Sequence, residues 1–463
     1  MSPGRPIVYL TSGIFGYLYR WFPIGRRLRD EGRRSVVVTA SAEAAEHARA
    51  EGLEVVHLDG QAAALARVPP PGSWPAPLRP FTRRVPGLSL GPPGPARAHW
   101  RARAALMADT SELDEVLGRL DPALVLTEAE EHRDIRAVLA AGRRLVLFED
   151  LYAVRPDRDV PFPARSHRLP TGTAASRARA ALRWQRFFAV EALRRGAERR
   201  WLAGADWHSA LARLAPAAGL DRPGATSRRY LQFYDYPGLA RLRTVAPELA
   251  FPGEAQPPIV IGPIVDPDRR THGVDPAFDA RWAAVRAARA GGERVVYVSL
   301  GTFLAGMEDL TRLVVEVLAG VDGQAVVSVG RDAERWAGTP TPGNVAVFGR
   351  VPQLEVLAAA DLVVTTGGLN TVHEALWFGV PVLALPVAGV DTPGNAARVH
   401  LHRVGRRVPP RQLSAERLSD EIRTLLDDRE YAERAAAMGD AMRAWDGVRR
   451  AVDAIVDAAD GAG

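Results

Sequence analysis

Leu362-Val-Val-Thr-Thr-Gly-Gly-Leu-Asn-Thr-Val-His-Glu-Ala-Leu-Trp-Phe-Gly-Val-Pro-Val-Leu-Ala-Leu-Pro386 reads as a buried strand, a glycine turn, a helix and a second buried strand. A strand that ends at Gly367-Gly368 and enters a helix at Asn370-Thr371 aims free backbone N–H groups at whatever sits above the turn. That arrangement suits a phosphate or pyrophosphate. Glycine lets a ligand approach the backbone with no Cβ in the way. Glu374 lies about one turn into the helix, where a carboxylate can accept hydrogen bonds from ribose hydroxyls. His373, on the same helix, reads as structural. A Gly-Gly turn is common in α/β proteins, so its neighbours decide what it means.

Those neighbours are Arg350-Val-Pro-Gln-Leu-Glu-Val-Leu357 upstream and Val390-Asp-Thr-Pro-Gly-Asn-Ala-Ala-Arg-Val399 downstream. A further glycine turn, Gly301-Thr302, follows the strand at Tyr297. Taken in order, these four motifs resemble the donor-binding half of the UDP-glucuronosyltransferase-like superfamily of glycosyltransferases. The flavour is that of bacterial macrolide and zeaxanthin glycosyltransferases. The resemblance is strong over about the C-terminal two-fifths of the chain and holds only in outline over the N-terminal half.

The chain has 463 residues, enough for two ordinary cores. At 47% hydrophobic and 25% charged, its composition is that of a globular protein. There is no apolar run of about 18 or more residues that would span a bilayer. Met1-Ser-Pro-Gly-Arg-Pro runs directly into the strand Ile7–Thr11 and does not read as a signal peptide. With no cysteine, disulfides and thiolate chemistry are excluded, and a cytoplasmic location is the default expectation. All 60 basic residues are arginine, which excludes lysine Schiff-base chemistry. A net charge of +6 is modest, and no nucleic-acid-binding signature is present.

The expected fold is α/β, with two facing Rossmann-like domains in the GT-B arrangement. Residues 1–245 form an acceptor-binding domain, 246–264 a linker and 265–440 a nucleotide-sugar-binding domain. Residues 441–463 form a C-terminal helix that, by the resemblance, crosses back to the first domain. Strands are read at 7–11, 36–39, 123–127 and 144–148, then at 295–300 and 325–329. Helices are read at 278–290 and 307–320, with two terminal helices at 414–428 and 429–457. The proline- and glycine-rich stretch 68–98 reads as a loop or lid. Residues 176–203 form a basic helix carrying Trp184, Phe187, Phe188, Leu193 and Trp201. Such a helix either lies on a membrane surface or packs its aromatic face on the core; the sequence leaves both readings open.

The resemblance assigns roles position by position. Gly301, Thr302, Thr366, Gly367, Gly368, Asn370 and Thr371 border the diphosphate. Thr366 stands where the family commonly has a phosphate-contacting histidine. Arg350 replaces a base-stacking aromatic, beside Val351, and a guanidinium can stack as well. Gln353 and Glu374 match the ribose-contacting region, and Asp391-Thr392 the pair that holds sugar hydroxyls. Tyr17 falls at the family's catalytic histidine and Arg20 at its proline, while Glu128 falls at the partner acid. Tyrosine ionises near ~10 and is a poor base at neutral pH. Glu128 is therefore the expected base, provided burial raises its pKa, with His132 in reserve as a surface helix residue. The implied activity is metal-independent, inverting transfer of a sugar from a UDP- or dTDP-linked donor to a small apolar polyketide, terpenoid or lipid. No cofactor beyond the nucleotide-sugar co-substrate is implied. Two other expectations stand beside it: a silent sugar-nucleotide-binding relative or auxiliary partner of an active glycosyltransferase, and, more weakly, a sugar epimerase on the same fold. Sugar, acceptor and oligomeric state are not readable from the sequence.

Overall fold

The structure is a computed structural model. It describes residues 4–60, 101–102, 105–152, 160, 171–201, 203–204, 206–220, 236, 238–252, 254, 259–271, 273–300, 308–330, 333–336, 338–387 and 391–461. The stretch 68–98 and the turn Gly301-Thr302 lie outside the described residues.

Two six-stranded sheets organise the chain. The first holds β1 (Ile7–Thr11), β2 (Ser35–Thr39), β3 (Glu54–His57), β4 (Leu124–Glu128), β5 (Leu145–Glu149) and β6 (Ala240–Arg243) in the order β3-β2-β1-β4-β5-β6. The second holds β7 (Val295–Ser299), β8 (Gln324–Ser328), β9 (Val345–Phe348), β10 (Leu362–Thr365), β11 (Val382–Ala384) and β12 (Gly405–Arg407) in the order β12-β11-β10-β7-β8-β9. Every pairing is parallel, with Val8 opposite Val36 and Val364 opposite Val298. Renumbered within its own half, the second order repeats the first. Both are the doubly wound pattern, whose ligand crevice opens at the carboxyl ends of the strands where the order reverses. These reversal points lie between β1 and β4 and between β7 and β10.

The central strands are unbroken apolar runs because helices cover both faces of each sheet. In the first sheet, Val8, Leu10, Val36 and Val38 serve one face. Ile7, Tyr9, Val37 and Leu126 serve the other, under α1 (Phe15–Asp30). The second sheet divides in the same way, with Val296, Val298 and Val364 on one face and Val295, Tyr297 and Val363 on the other.

Along the chain, α2 (Ala42–Ala50) lies between β2 and β3, α3 (Ser111–Leu120) leads into β4, and α4 (His132–Ala140) connects β4 to β5. The long α5 (Ala174–Trp201) and the short α6 (Trp207–Leu214) lead to β6. In the second half, α7 (Phe278–Ala290), α8 (Glu308–Leu318), α9 (Ala333–Trp336), α10 (Gln353–Ala359), α11 (Leu369–Trp377) and α12 (Thr392–Leu401) alternate with strands. Then come α13 (Ala415–Asp427), α14 (Arg429–Arg443) and α15 (Gly447–Asp460).

The single helix expected over 429–457 is two. Asp446 adopts φ 48° and its side chain accepts a hydrogen bond from the Arg449 N–H, starting a new helix. Gly447 permits the turn because its backbone lies against Pro263; a Cβ there would stand 2.4 Å from the Pro263 oxygen. Beyond the break, α15 packs on α1. Ala451, Val452 and Ile455 share a cluster with Leu18, Trp21 and Leu28, and Asp460 pairs with Arg33 at 2.6 Å.

Candidate functional site

The two reversal points face each other. On the second sheet, β10 ends in Thr365 and buried Thr366, and the chain turns at Gly367 with φ +85°. A side chain at that angle is strained, and the turn is what allows α11 to begin directly beyond it. The N-cap of α11 is Gly368, which supplies no side-chain cap. A Cβ at Gly368 would meet nothing within 4 Å. The first N–H groups of α11 are therefore open to an anion. Asn395 fixes the turn from α12: its Nδ2 donates to the Gly367 carbonyl and to the Asp391 carboxylate, both at 3.0 Å. Asp391 caps α12, and burial raises its pKa, with the charge of Asp150 adding to the shift. Thr392 is buried beside it.

One turn into α11, Glu374 is buried, and each of its oxygens accepts a hydrogen bond. Arg269 donates to it at 2.5 Å, and Gln353 Nε2 donates to its other oxygen. Gln353 Oε1 in turn accepts from the Tyr297 hydroxyl at 3.0 Å and the Ser299 hydroxyl at 3.2 Å. The residues read as ribose contacts thus form one network. Burial opposes the charge of Arg269, but Glu374 outweighs it and the guanidinium pKa rises. Arg269 also lies over the Tyr19 ring of α1, 4.2 Å from its centroid.

Across the crevice, α1 begins close to α11. Asn370 Nδ2 donates to the Gly16 carbonyl at 3.0 Å. A Cβ at Gly16 would stand 2.6 Å from Asn370 Nδ2 and would push that side chain aside. Behind this contact lies an array of charges centred on Arg20, which is 4% exposed. Its guanidinium donates to Glu128 at 2.6 Å and to the Thr244 hydroxyl at 2.9 Å, and lies 3.5 Å from Asp150. Burial works against the Arg20 charge, yet Glu128 and Asp150 raise its pKa. Glu128 is 2% exposed and its other oxygen accepts from Tyr9 at 2.6 Å. Burial raises Glu128 to about 7, with Arg20 opposing the shift and Asp150 adding to it. Tyr17 donates to Glu130 at 2.7 Å, and its pKa is raised, first by burial and then by Asp150 and Glu130. Asp150, just past the end of β5, is the member of the array with an open side: its side chain is 18% exposed.

The other expected residues fall as follows. Val351 is buried. Arg350 bridges to the first half, pairing with Glu43 at 3.1 Å and lying over Phe15. His373 is buried with its Nε2 3.4 Å from the Tyr152 hydroxyl, and burial lowers its pKa to about 3. His132 is not on the surface, as expected, but buried against Tyr236, whose hydroxyl is 3.2 Å from Nδ1. Burial first and then Arg136 lower its pKa to about 3, so it is neutral near pH 7. Asp150, Arg269 and Asn395 are the site residues that sequence reading missed. Asp150 carried the same signal as Glu128, a carboxylate closing a buried strand. Asn395 sat inside a quoted motif, and Arg269 had no local signal. Among the described residues no group of His, Asp and Glu side chains is arranged to hold a metal ion.

This fold and crevice define a GT-B protein. Solved glycosyltransferases share the architecture along nearly their whole length. The kitacinnamycin glycotransferase superposes with TM-score 0.64 at 23% identity, covering 98% of this chain and 99% of that one. The glycosyltransferase VinC, solved in complex with dTDP, superposes with TM-score 0.60 at 19% identity, covering 98% and 99%. Residues 312–453 match the family described as erythromycin biosynthesis protein CIII-like, C-terminal domain. The chain is similar to the oleandomycin glycosyltransferase of Streptomyces antibioticus, 35% identical over 167 residues, which is 36% of this chain and 39% of the relative. It is also similar to the zeaxanthin glucosyltransferase of Pantoea ananas, 29% identical over 221 residues, 47% of this chain and 48% of the relative. The chain thus spans less than half the length of these curated relatives. Its resemblance to macrolide and zeaxanthin glycosyltransferases is borne out.

Proposed function

We propose that this protein is a metal-independent, inverting glycosyltransferase that moves a sugar from a UDP- or dTDP-linked donor to a small apolar acceptor. The observation that carries the reading is the opposition of two reversal points. One is an uncapped helix N-terminus beside the Glu374–Gln353 network; the other is a buried carboxylate–arginine array. Named relatives that act on macrolide and carotenoid acceptors, and a neighbour solved with dTDP, support the substrate class.

In this reading the N–H groups at the start of α11, with the Thr366 hydroxyl, hold the diphosphate and meet the charge that develops on it as it leaves. Asp391 and Thr392 hold the sugar. The acceptor hydroxyl gives its proton to a carboxylate as its oxygen bonds to the anomeric carbon. The carbon–oxygen bond to the diphosphate breaks on the opposite face and the electron pair leaves with the diphosphate. Glu128 has the raised pKa a general base needs, but both its oxygens are engaged. Asp150 shares the Arg20 cation and has a free side, so it is the carboxylate that meets the acceptor. Glu128 and Arg20 position it.

The test is incubation with a panel of nucleotide sugars and apolar hydroxylated acceptors, read by mass spectrometry. Sustained transfer, or sustained donor hydrolysis, supports the enzyme. Tight nucleotide binding without turnover of any donor leaves a silent sugar-nucleotide-binding protein instead.

A further inference from the structure

The outer face of α5 is unlike the rest of the described surface. Leu182, Val190 and Leu193 are 65%, 50% and 76% exposed. Apart from Ile259, they are the large apolar side chains exposed among the described residues. They do not scatter. Leu182, Arg186 and Val190 follow one another at four-residue spacing, and Leu193 is three further on, so they form one stripe along the helix. The helix is anchored by the opposite stripe. Ala180, Trp184 and Phe188, also four apart, are buried, and Trp184 donates from its ring N–H to the Val160 carbonyl at 3.3 Å. Trp184 and Phe188 therefore serve the interior, and the outer leucines and valine are surplus to it.

The charge on that outer face has one sign. Arg179, Arg186 and Arg200 are exposed there. The described acid of the helix, Glu191, is half-buried and paired with Arg194 at 2.7 Å. Exposed leucine and valine interleaved with arginine, with no exposed described carboxylate, match an anionic bilayer. Apolar side chains enter the acyl boundary while arginines meet phosphate headgroups. No described helix is long and apolar enough to span a bilayer. We propose that the Leu182–Leu193 face of α5 docks this protein peripherally on anionic lipid membranes. The proposal is independent of the reaction assigned to the crevice.

The test is flotation of the full chain with vesicles of phosphatidylcholine alone and of phosphatidylcholine and phosphatidylglycerol in equal parts. The wild type should float with the anionic vesicles only, and raising salt to about 0.5 M should weaken binding, because the arginine term is screened. Leu182→Ser/Leu193→Ser and Arg179→Glu/Arg186→Glu should each lower partitioning by about tenfold or more. All four residues are exposed, so melting temperature and nucleotide affinity should stay at wild-type values, which separates lost docking from lost folding. Equal binding to both vesicle types, no binding to either, or variants that partition like the wild type would overturn the proposal. So would light scattering that finds a wild-type dimer converted to monomer by Leu182→Ser/Leu193→Ser without vesicle binding, since the face would then be covered by a second copy.

Discussion

Replacing Asp150 by Asn tests the proposed chemistry most directly, because the change keeps the shape and removes only the proton-accepting charge. General base catalysis contributes about 10²–10⁴ in rate, or roughly 3–5 kcal/mol of barrier. Asp150→Asn should therefore lose turnover by that factor at saturating donor. The structural cost should be small. Arg20 keeps Glu128 at 2.6 Å and Thr244 at 2.9 Å, while the contact to Asp150 is longer, at 3.5 Å, and open to solvent on one side. Because Arg20 stays paired with Glu128, the loss should be smaller than the about 3–5 kcal/mol of an orphaned buried charge, and the melting temperature should fall by less than roughly 6–20 °C. Affinity for UDP or dTDP should not change, since the nucleotide is assigned to the opposite wall. Initial rates by mass spectrometry, calorimetry with each nucleotide and a thermal melt give the three readouts. Turnover within about threefold of wild type would refute the reasoning, because no general base is lost at so small a cost. Unchanged turnover with weakened nucleotide binding would refute it too, by moving Asp150 to the donor side.

Other expected outcomes follow from the same geometry. Arg20→Leu leaves Glu128 buried without its cation, which should cost about 3–5 kcal/mol and lower the melting temperature by roughly 6–20 °C. Glu128 already sits at about 7, raised from 4.5, so the folded state holds its proton more tightly than the unfolded state. Its contribution to stability is present at low pH and is lost as pH rises through that window. Loss of Arg20 raises Glu128 further, so the deficit should be larger at pH 8 than at pH 6; calorimetry showing the reverse order would refute the pairing. Glu374→Ala should weaken UDP or dTDP binding by about 1.5–3 kcal/mol, read by isothermal calorimetry against an unchanged value if Glu374 is outside the site. Excess EDTA should leave turnover intact, and activity that vanishes and returns with magnesium or manganese would contradict the metal-independent reading.

The fold was legible where one element carried its own signal. The run Val36-Val-Val38 and the strand at Val295–Ser299 are buried on both faces, so continuous apolarity announced them. The helix Phe278–Ala290 has the bounds its periodicity predicts. The edge strands stayed hidden. Ala240–Arg243 and Gly405–Arg407 are short and arginine-bearing, because an edge is kept from unwanted pairing by charge and brevity. The break before Gly447 was hidden for another reason. It is imposed by the Pro263 backbone and by Trp445 donating to Glu248 at 2.7 Å, contacts between parts of the chain that no local window contains.

The same distinction divides the candidate site. The proposed donor wall was legible because it is one continuous turn, from Thr366 to Glu374. The opposite wall is assembled from Tyr9, Tyr17, Arg20, Glu128 and Asp150, which meet only in three dimensions. Read singly, Tyr17 and Arg20 look like two losses, of a histidine and of a proline. In the fold, Arg20 is the cation between two carboxylates. Asp150 adds to the raised pKa of Glu128, and Arg20 opposes it. Without Arg20, Glu128 would lose the cation that opposes its burial, and its pKa would rise further. With Arg20 in place, its cation lies between the two carboxylates, 2.6 Å from Glu128 and 3.5 Å from Asp150. The second departure thus supports the chemistry that the first seemed to forfeit. In the proposed reading, Glu128, the residue that sequence alone singles out, fixes Arg20 while Asp150 meets the acceptor.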